Sequence, residues 1–171
     1  MNNFFNTTQI IRLARSLFTK TSPAYVQFYI TSRCNLACEQ CNIIYADAKH
    51  QEMNIKQINQ VAENLKKIGV TIVLLIGGEP FVRKDIAEIV KAFTSRDIHV
   101  RMQTNGIATP EQLEECVKAG GLDISISLDT LEPSIQDKIN GGFNKSWEKA
   151  IQTIAKVSQI FPKNSTAFFI C

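Results

Sequence analysis

A chain of 171 residues that is 44% hydrophobic and 20% charged can bury the core of one domain. Its formal net charge of +3 is small and dispersed, so no basic patch points to nucleic acid. No apolar run is long enough to span a bilayer, and Arg12 and Arg15 interrupt residues 1–20, so no signal-peptide core is present. The expected compartment is the cytoplasm, where clustered cysteines serve as ligands rather than as a disulfide framework.

Residues 7–19 read as an amphipathic helix with Ile10, Ile11, Leu13, Ala14, Leu17 and Phe18 on its apolar side, packed on the outside or base of the domain. Residues 1–23 are then an N-terminal helix and linker, and residues 24–171 the core. The first strand is residues 25–30, followed at once by a cysteine-rich loop. A helix is expected over 55–68, with Asn54 as N-cap and Gly69 past its end. The second strand, 71–76, breaks at Gly77-Gly78-Glu79-Pro80. A helix over 85–95 follows, then a third strand over 98–103 that ends at Thr104-Asn105-Gly106. Thr109-Pro110 opens the next helix and Gly120-Gly121 stops it. The fourth strand is 123–128. A broken helical region interrupted at Gly141-Gly142 leads to a fifth strand over 166–171.

Alternation of strand and helix predicts parallel strands with right-handed crossovers. The side-chain pattern then separates two architectures. A central strand of a doubly wound sheet is apolar on both faces. Here three strands alternate. Gln27 and Tyr29 oppose Val26, Phe28 and Ile30; His99, Arg101 and Gln103 oppose Val100 and Met102; Asp123, Ser125 and Ser127 oppose Ile124 and Ile126. One polar face and one helix-covered face predict an α/β fold of the partial (β/α) barrel type, with about five parallel strands around a polar lumen. Its site is expected at the strand C-terminal ends.

Cys34, Cys38 and Cys41 fall within eight residues, directly after the first strand. Thiolates that close need a metal or an iron–sulfur cluster among them. Structural zinc and ordinary ferredoxin clusters take four protein ligands, so three leave one position for a ligand that is not protein. The alternative is a non-catalytic zinc module with His50 as fourth ligand, or an inactive fragment. Gln27, Tyr29, Arg101 and Gln103 face the lumen and are candidates for substrate contact or for hydrogen bonding inside the barrel. Cys116 reads as an inert buried thiol and His99 as structural. Arg83-Lys84 read as a solvated helix face and Asn105-Gly106 as a turn pair.

Cys-x3-Cys-x2-Cys after a first strand, Gly77-Gly78-Glu79-Pro80 after the second and Ser127-Leu128-Asp129 at the fourth together resemble the radical S-adenosylmethionine (radical SAM) superfamily. The wording is closest to the branch of the molybdenum-cofactor GTP cyclase and the SPASM-type enzymes. Gln40 departs from the aromatic residue usual before the third cysteine. The resemblance implies that Cys34, Cys38 and Cys41 hold three irons of a 4Fe-4S cluster and that SAM chelates the fourth. One-electron reduction of SAM then yields methionine and a 5′-deoxyadenosyl radical, which takes hydrogen from a small-molecule or peptide substrate. It further implies SAM contacts from Gly77, Gly78, Glu79 (to the methionyl amine) and Ser127, with Asp129 either a contact or a cap. A one-electron donor such as flavodoxin or ferredoxin is implied as partner. The family has six strands and often a C-terminal extension, so Cys171, inside an apolar strand, is expected to mark a C-terminally incomplete core.

Overall fold

The computed structural model describes residues 5–19, 23–42, 51–161 and, as a strand only, 166–170. Residues 43–50, with His50, and Cys171 lie outside the described residues. The elements are α1 (Thr7–Thr19), β1 (Tyr25–Thr31), α2 (Ile55–Lys67), β2 (Ile72–Gly77), α3 (Ile86–Thr94), β3 (His99–Thr104), α4 (Pro110–Lys118), β4 (Asp123–Leu128), α5 (Pro133–Ile139), α6 (Ser146–Ile160) and β5 (Thr166–Ile170).

The fold is α/β. Among the described residues the sheet is parallel throughout and runs in chain order, β1-β2-β3-β4-β5. The order never reverses, so the sheet has no topological switch point of the doubly wound kind. The sequence specifies the helix starts locally. Asn54 with Gln57, and Thr109 with Gln112, each close a capping box, and Pro110 occupies the first turn of α4.

One face of the sheet carries the core. Ile30, Val73, Leu75, Val100, Met102, Ile124 and Ile126 pack there against Ile58 of α2, Ile89 and Phe93 of α3, Leu113 and Cys116 of α4 and Val157 of α6. Phe28 and Phe93 meet edge to face with ring centroids 5.8 Å apart. Residues two apart along a strand share a face, so Gln27, Leu74, Arg101 and Asp123, which pair across β1–β4, form one row on the opposite face.

α1 docks at the N-terminal ends of the strands, but not by its apolar side. The Arg12 guanidinium donates to the carbonyls of Val70 (3.3 Å) and Asp97 (3.1 Å) and pairs with the Asp97 carboxylate at 2.6 Å. Asn6 Nδ2 donates to the same carboxylate at 2.6 Å, and the buried helix residues are Gln9 and Ser16. Ile10, Ile11, Leu17 and Phe18 stay exposed, Phe18 at 88%. A periodic pattern defines an apolar face without saying where it points, and here the turn before β3 supplies acceptors that only the polar side can reach. No helix among the described residues is long and apolar enough to cross a membrane.

Because one guanidinium makes most of this attachment, Arg12→Ala is expected to remove about 2 kcal/mol of local stability. Amide exchange across residues 7–19 then accelerates by an order of magnitude while β2 and β3 keep their protection, as hydrogen–deuterium exchange would register.

Candidate functional site

The C-terminal end of β1 leads straight into the cysteine loop, and its position is set by β2. Gly78 N donates to Thr31 O (3.0 Å) and Glu79 N to Arg33 O (2.9 Å). A Cβ on Gly77 would sit 2.2 Å from Thr31 O, and one on Gly78 would sit 2.1 Å from Arg33 O. The absent side chains therefore serve a backbone-to-backbone seam with the root of the cysteine loop. That is a different use from the expected close approach of a ligand, although residues 77–80 also line the cleft described below.

Glu79 is fully buried. Its Oε1 accepts from Phe81 N (2.9 Å) and Thr104 Oγ1 (3.0 Å), and its Oε2 from Asn105 N (2.7 Å). Burial raises its pKa to about 7, against the pull of those three donors. These three donors turn the carboxylate oxygens inward and join the end of β2 to the end of β3. Arg83 is likewise not on a solvated face. It is 4% exposed, donates to the carbonyls of Ile30 and Met53 (both 3.0 Å) and pairs with Asp85 at 2.6 Å. It thus ties the end of β1 to the segment entering α2.

Asn105 is more than a turn residue. Its Oδ1 accepts from Ile107 N (3.0 Å), and its Nδ2 reaches Asn35 Oδ1 (2.7 Å) and Cys34 Sγ (3.8 Å). Leu36 N also points at Cys34 Sγ, at 3.4 Å. On the other side of the loop Cys38 Sγ lies 3.3 Å from Asn140 Oδ1, Glu39 N donates to Ile139 O (3.2 Å), and a Cβ on Gly141 would sit 2.4 Å from Ala37 O. Nothing in the sequence pairs Asn140 with a cysteine 102 residues away.

The thiols lie within electrostatic reach of one another. Burial, then the charges of Cys34 and Cys41, push Cys38 up to about 11, and burial also raises Cys34. Such a set is uncomfortable as thiolates without a cation. Among the described residues no three of His, Cys, Asp or Glu are gathered closely enough to hold one metal ion. Three cysteines on one loop, met by N–H donors at Cys34, have the donor chemistry of a sulfur-ligated metal group.

Beside the loop lies an open cleft of about 360 Å³. Gln27, Tyr29, Gly77, Gly78, Glu79, Gln103, Asn105 and Ser127 line it together with Leu74 and Ile76. Gln103 Nε2 faces Ser127 Oγ at 3.5 Å. Arg101 is not among the lining residues, and its Nε lies 3.8 Å from Asp123 Oδ1. His99 Nε2 is 3.1 Å from Asp123 Oδ2 at the foot of the same strands. Asp129 Oδ2 accepts from Gln136 Nε2 (3.1 Å), so the carboxylate is tied to α5. Cys116 is buried in the core, its pKa pushed up to about 12 by burial.

A parallel sheet with a three-cysteine loop after β1, a glycine–glutamate turn after β2 and a cleft at the strand ends defines a class. The sequence profile of the Radical SAM superfamily matches residues 28–171. The chain belongs to that superfamily. It is 32% identical over 141 residues to the GTP 3′,8-cyclase of Peptoclostridium acidaminophilum, covering 80% of this chain and 43% of that protein. It is 29% identical over 138 residues to the mycofactocin maturase MftC of Mycolicibacterium smegmatis, covering 80% of this chain and 35% of that protein. The fold matches Streptococcus suis SuiB bound to the precursor peptide SuiA, with a TM-score of 0.71 at 20% identity over 88% of this chain and 34% of that one. SuiB bound to S-adenosylmethionine gives a TM-score of 0.68 at 19% identity, with the same coverage of 88% and 34%. The chain thus spans less than half the length of these relatives.

The Glu79 tether gives a signed pH test. Its pKa stands above the ordinary 4.5, at about 7. The folded state therefore holds the proton more tightly than the unfolded state, so its contribution is complete below pH 4.5 and is lost as the pH rises through 7. Urea unfolding should show stability declining over that interval, on the order of 3 kcal/mol. Glu79→Gln should flatten the decline. The same variant costs about 1–3 kcal/mol at acid pH, because an amide cannot serve all three donors.

Proposed function

We propose that residues 24–171 form the SAM-cleaving core of a radical SAM enzyme, preceded by an N-terminal helix and linker over residues 1–23. In this reading Cys34, Cys38 and Cys41 hold a 4Fe-4S cluster, and the sheet is a partial barrel of about five strands out of a whole of six. The single observation that carries the proposal is the placement of three cysteines on one loop, with Cys34 and Cys38 raised in pKa chiefly by burial, beside a cleft walled by the ends of β1–β4.

Each residue has a task there. The loop presents three thiolates and leaves one iron position for SAM. The main chain of Gly77, Gly78 and Glu79 forms the cleft wall on the methionyl side, with the Glu79 carboxylate holding that wall in place. Ser127 stands across the cleft for the ribose or carboxylate of SAM. Gln27, Tyr29 and Gln103 are exposed on the strands and meet the substrate, a small molecule or a peptide. Arg101 supports them from the row of Gln27, beside Asp123. Leu74 and Ile76 limit water around the reacting carbon, as radical chemistry requires. When bound, the cluster and SAM supply a 5′-deoxyadenosyl radical for hydrogen abstraction, with electrons from a donor such as flavodoxin or ferredoxin, in a reducing cytoplasmic setting. The zinc module, with His50 as its fourth ligand, has less support, because it gives no task to the cleft at the strand ends.

Anaerobic reconstitution with iron and sulfide tests this directly. The expected result is a brown protein that releases 5′-deoxyadenosine from SAM under a strong reductant. Cys38→Ala abolishes cluster uptake and Cys116→Ala retains it. One tightly held zinc per chain with no SAM cleavage would sink the proposal, and equal loss of cluster in both variants would overturn the ligand assignment.

A further inference from the structure

We propose that Asn105 is a positioning residue for the cluster, its side-chain N–H donating to Cys34 Sγ from outside the cysteine loop and raising the cluster's reduction potential. This rests on the reading of Cys34, Cys38 and Cys41 as cluster ligands, and assigns to a residue of the β3 end a task that the cysteine motif does not contain.

The orientation of the amide follows from its partners. Ile107 N donates to Oδ1 at 3.0 Å, so Oδ1 faces the turn and Nδ2 faces the cysteine loop. There Nδ2 meets Asn35 Oδ1 at 2.7 Å and Cys34 Sγ at 3.8 Å. Asn35 is oriented in turn, because its Nδ2 donates to Ile107 O at 3.4 Å. Flipping either amide would set two donors or two acceptors against each other. The backbone beneath is held as well, with Asn105 N on Glu79 Oε2 at 2.7 Å. The donor is therefore mounted on the sheet, and the ligand it addresses is mounted on a loop.

The three thiols are not equivalent. Cys34 Sγ faces two N–H groups, Leu36 N at 3.4 Å and Asn105 Nδ2 at 3.8 Å, with the Asn35 Oδ1 acceptor farther off at 4.0 Å. Cys38 Sγ faces an acceptor, Asn140 Oδ1, at 3.3 Å. Asn140 is held in that sense by Gln136 Nε2 on its oxygen (3.3 Å) and Ser146 Oγ on its nitrogen (2.9 Å). An N–H directed at a ligating sulfur draws charge from it and favours the more negative, reduced state of an iron–sulfur group. Of the two donors at Cys34, the main-chain one comes with the loop, and the side-chain one is a choice made by residue 105.

The test is a redox titration of the reconstituted 171-residue chain, followed by electron paramagnetic resonance without SAM. Asn105→Ser keeps a short polar group at the turn and withdraws the donor from Cys34, and Asn105→Asp keeps the shape and removes the N–H. Both are expected to lower the midpoint potential relative to wild type, while Cys116→Ala leaves it in place. A loaded Asn105→Ser with the wild-type potential overturns the role of Asn105 and leaves the cluster assignment standing. A wild-type chain that takes up no cluster overturns the cluster assignment and this proposal with it. With nitrogen-15 in the asparagine side-chain amides, a component of the reduced cluster's electron spin echo modulation that is present in wild type and lost in Asn105→Ser supports the contact, and modulation that is identical in the two, or absent from wild type, overturns it.

Discussion

A single buried carboxylate governs the geometry of the strand ends. Glu79 is enclosed completely and still takes three hydrogen bonds, two from main-chain N–H groups and one from the Thr104 hydroxyl. Burying a carboxylate is costly unless donors of this kind offset it. The donors come from both its own turn and the end of β3, so the charge can be accommodated only when β2 and β3 stand in their native relation. Everything at the upper rim inherits that relation, because Asn105, whose main chain the carboxylate holds, is the residue whose side chain reaches the cysteine loop.

The loop itself has no regular structure to fix it. It is held instead at three points by separate elements. The Gly77-Gly78 seam fixes its root by backbone contacts too close for any Cβ. Asn105 and Asn35 hold the Cys34 side. The α5–α6 connection holds the Cys38 side through Asn140, the carbonyl of Ile139 and the contact of Gly141 with Ala37. A ligand loop clamped at separate points needs little rearrangement to receive a rigid group, which is the condition for a precise site.

Much of this is written locally. Strand and helix alternation is legible because the apolar period changes from two to about four, and the capping boxes at Asn54 and Thr109 are sequence-local by nature. The polar face of the sheet follows from strand parity alone, which is how Gln27, Tyr29 and Gln103 come to share a wall. What stays hidden depends on partners far along the chain. Arg83 looks like the solvated start of a helix until the carbonyls of Ile30 and Met53 arrive to take its charge. Glu79 likewise gives no local sign of the donors it meets from Thr104 and Asn105, 25 and 26 residues later. α1 shows the limit of periodicity from the other direction, since its amphipathic pattern is real and its docking face is the polar one.

The same reasoning explains why Arg101 stands apart from the other lumen candidates. Parity puts it on the correct face, in one row with Gln27 and Leu74. Parity says nothing of depth, however. At that level Asp123 on β4 is almost wholly buried and meets His99 Nε2 at 3.1 Å and Arg101 Nε at 3.8 Å. An acid so enclosed needs cationic or donating neighbours, and His99 and Arg101 supply them from the adjacent strand. These three side chains occupy the lower part of the polar face. The open space begins beside this row and extends to the strand ends, lined by the uncharged side chains of exposed Gln27, Tyr29 and Gln103 and half-buried Ser127. The lower ion cluster thus sets the floor of the cleft, and the cysteine loop sets its rim.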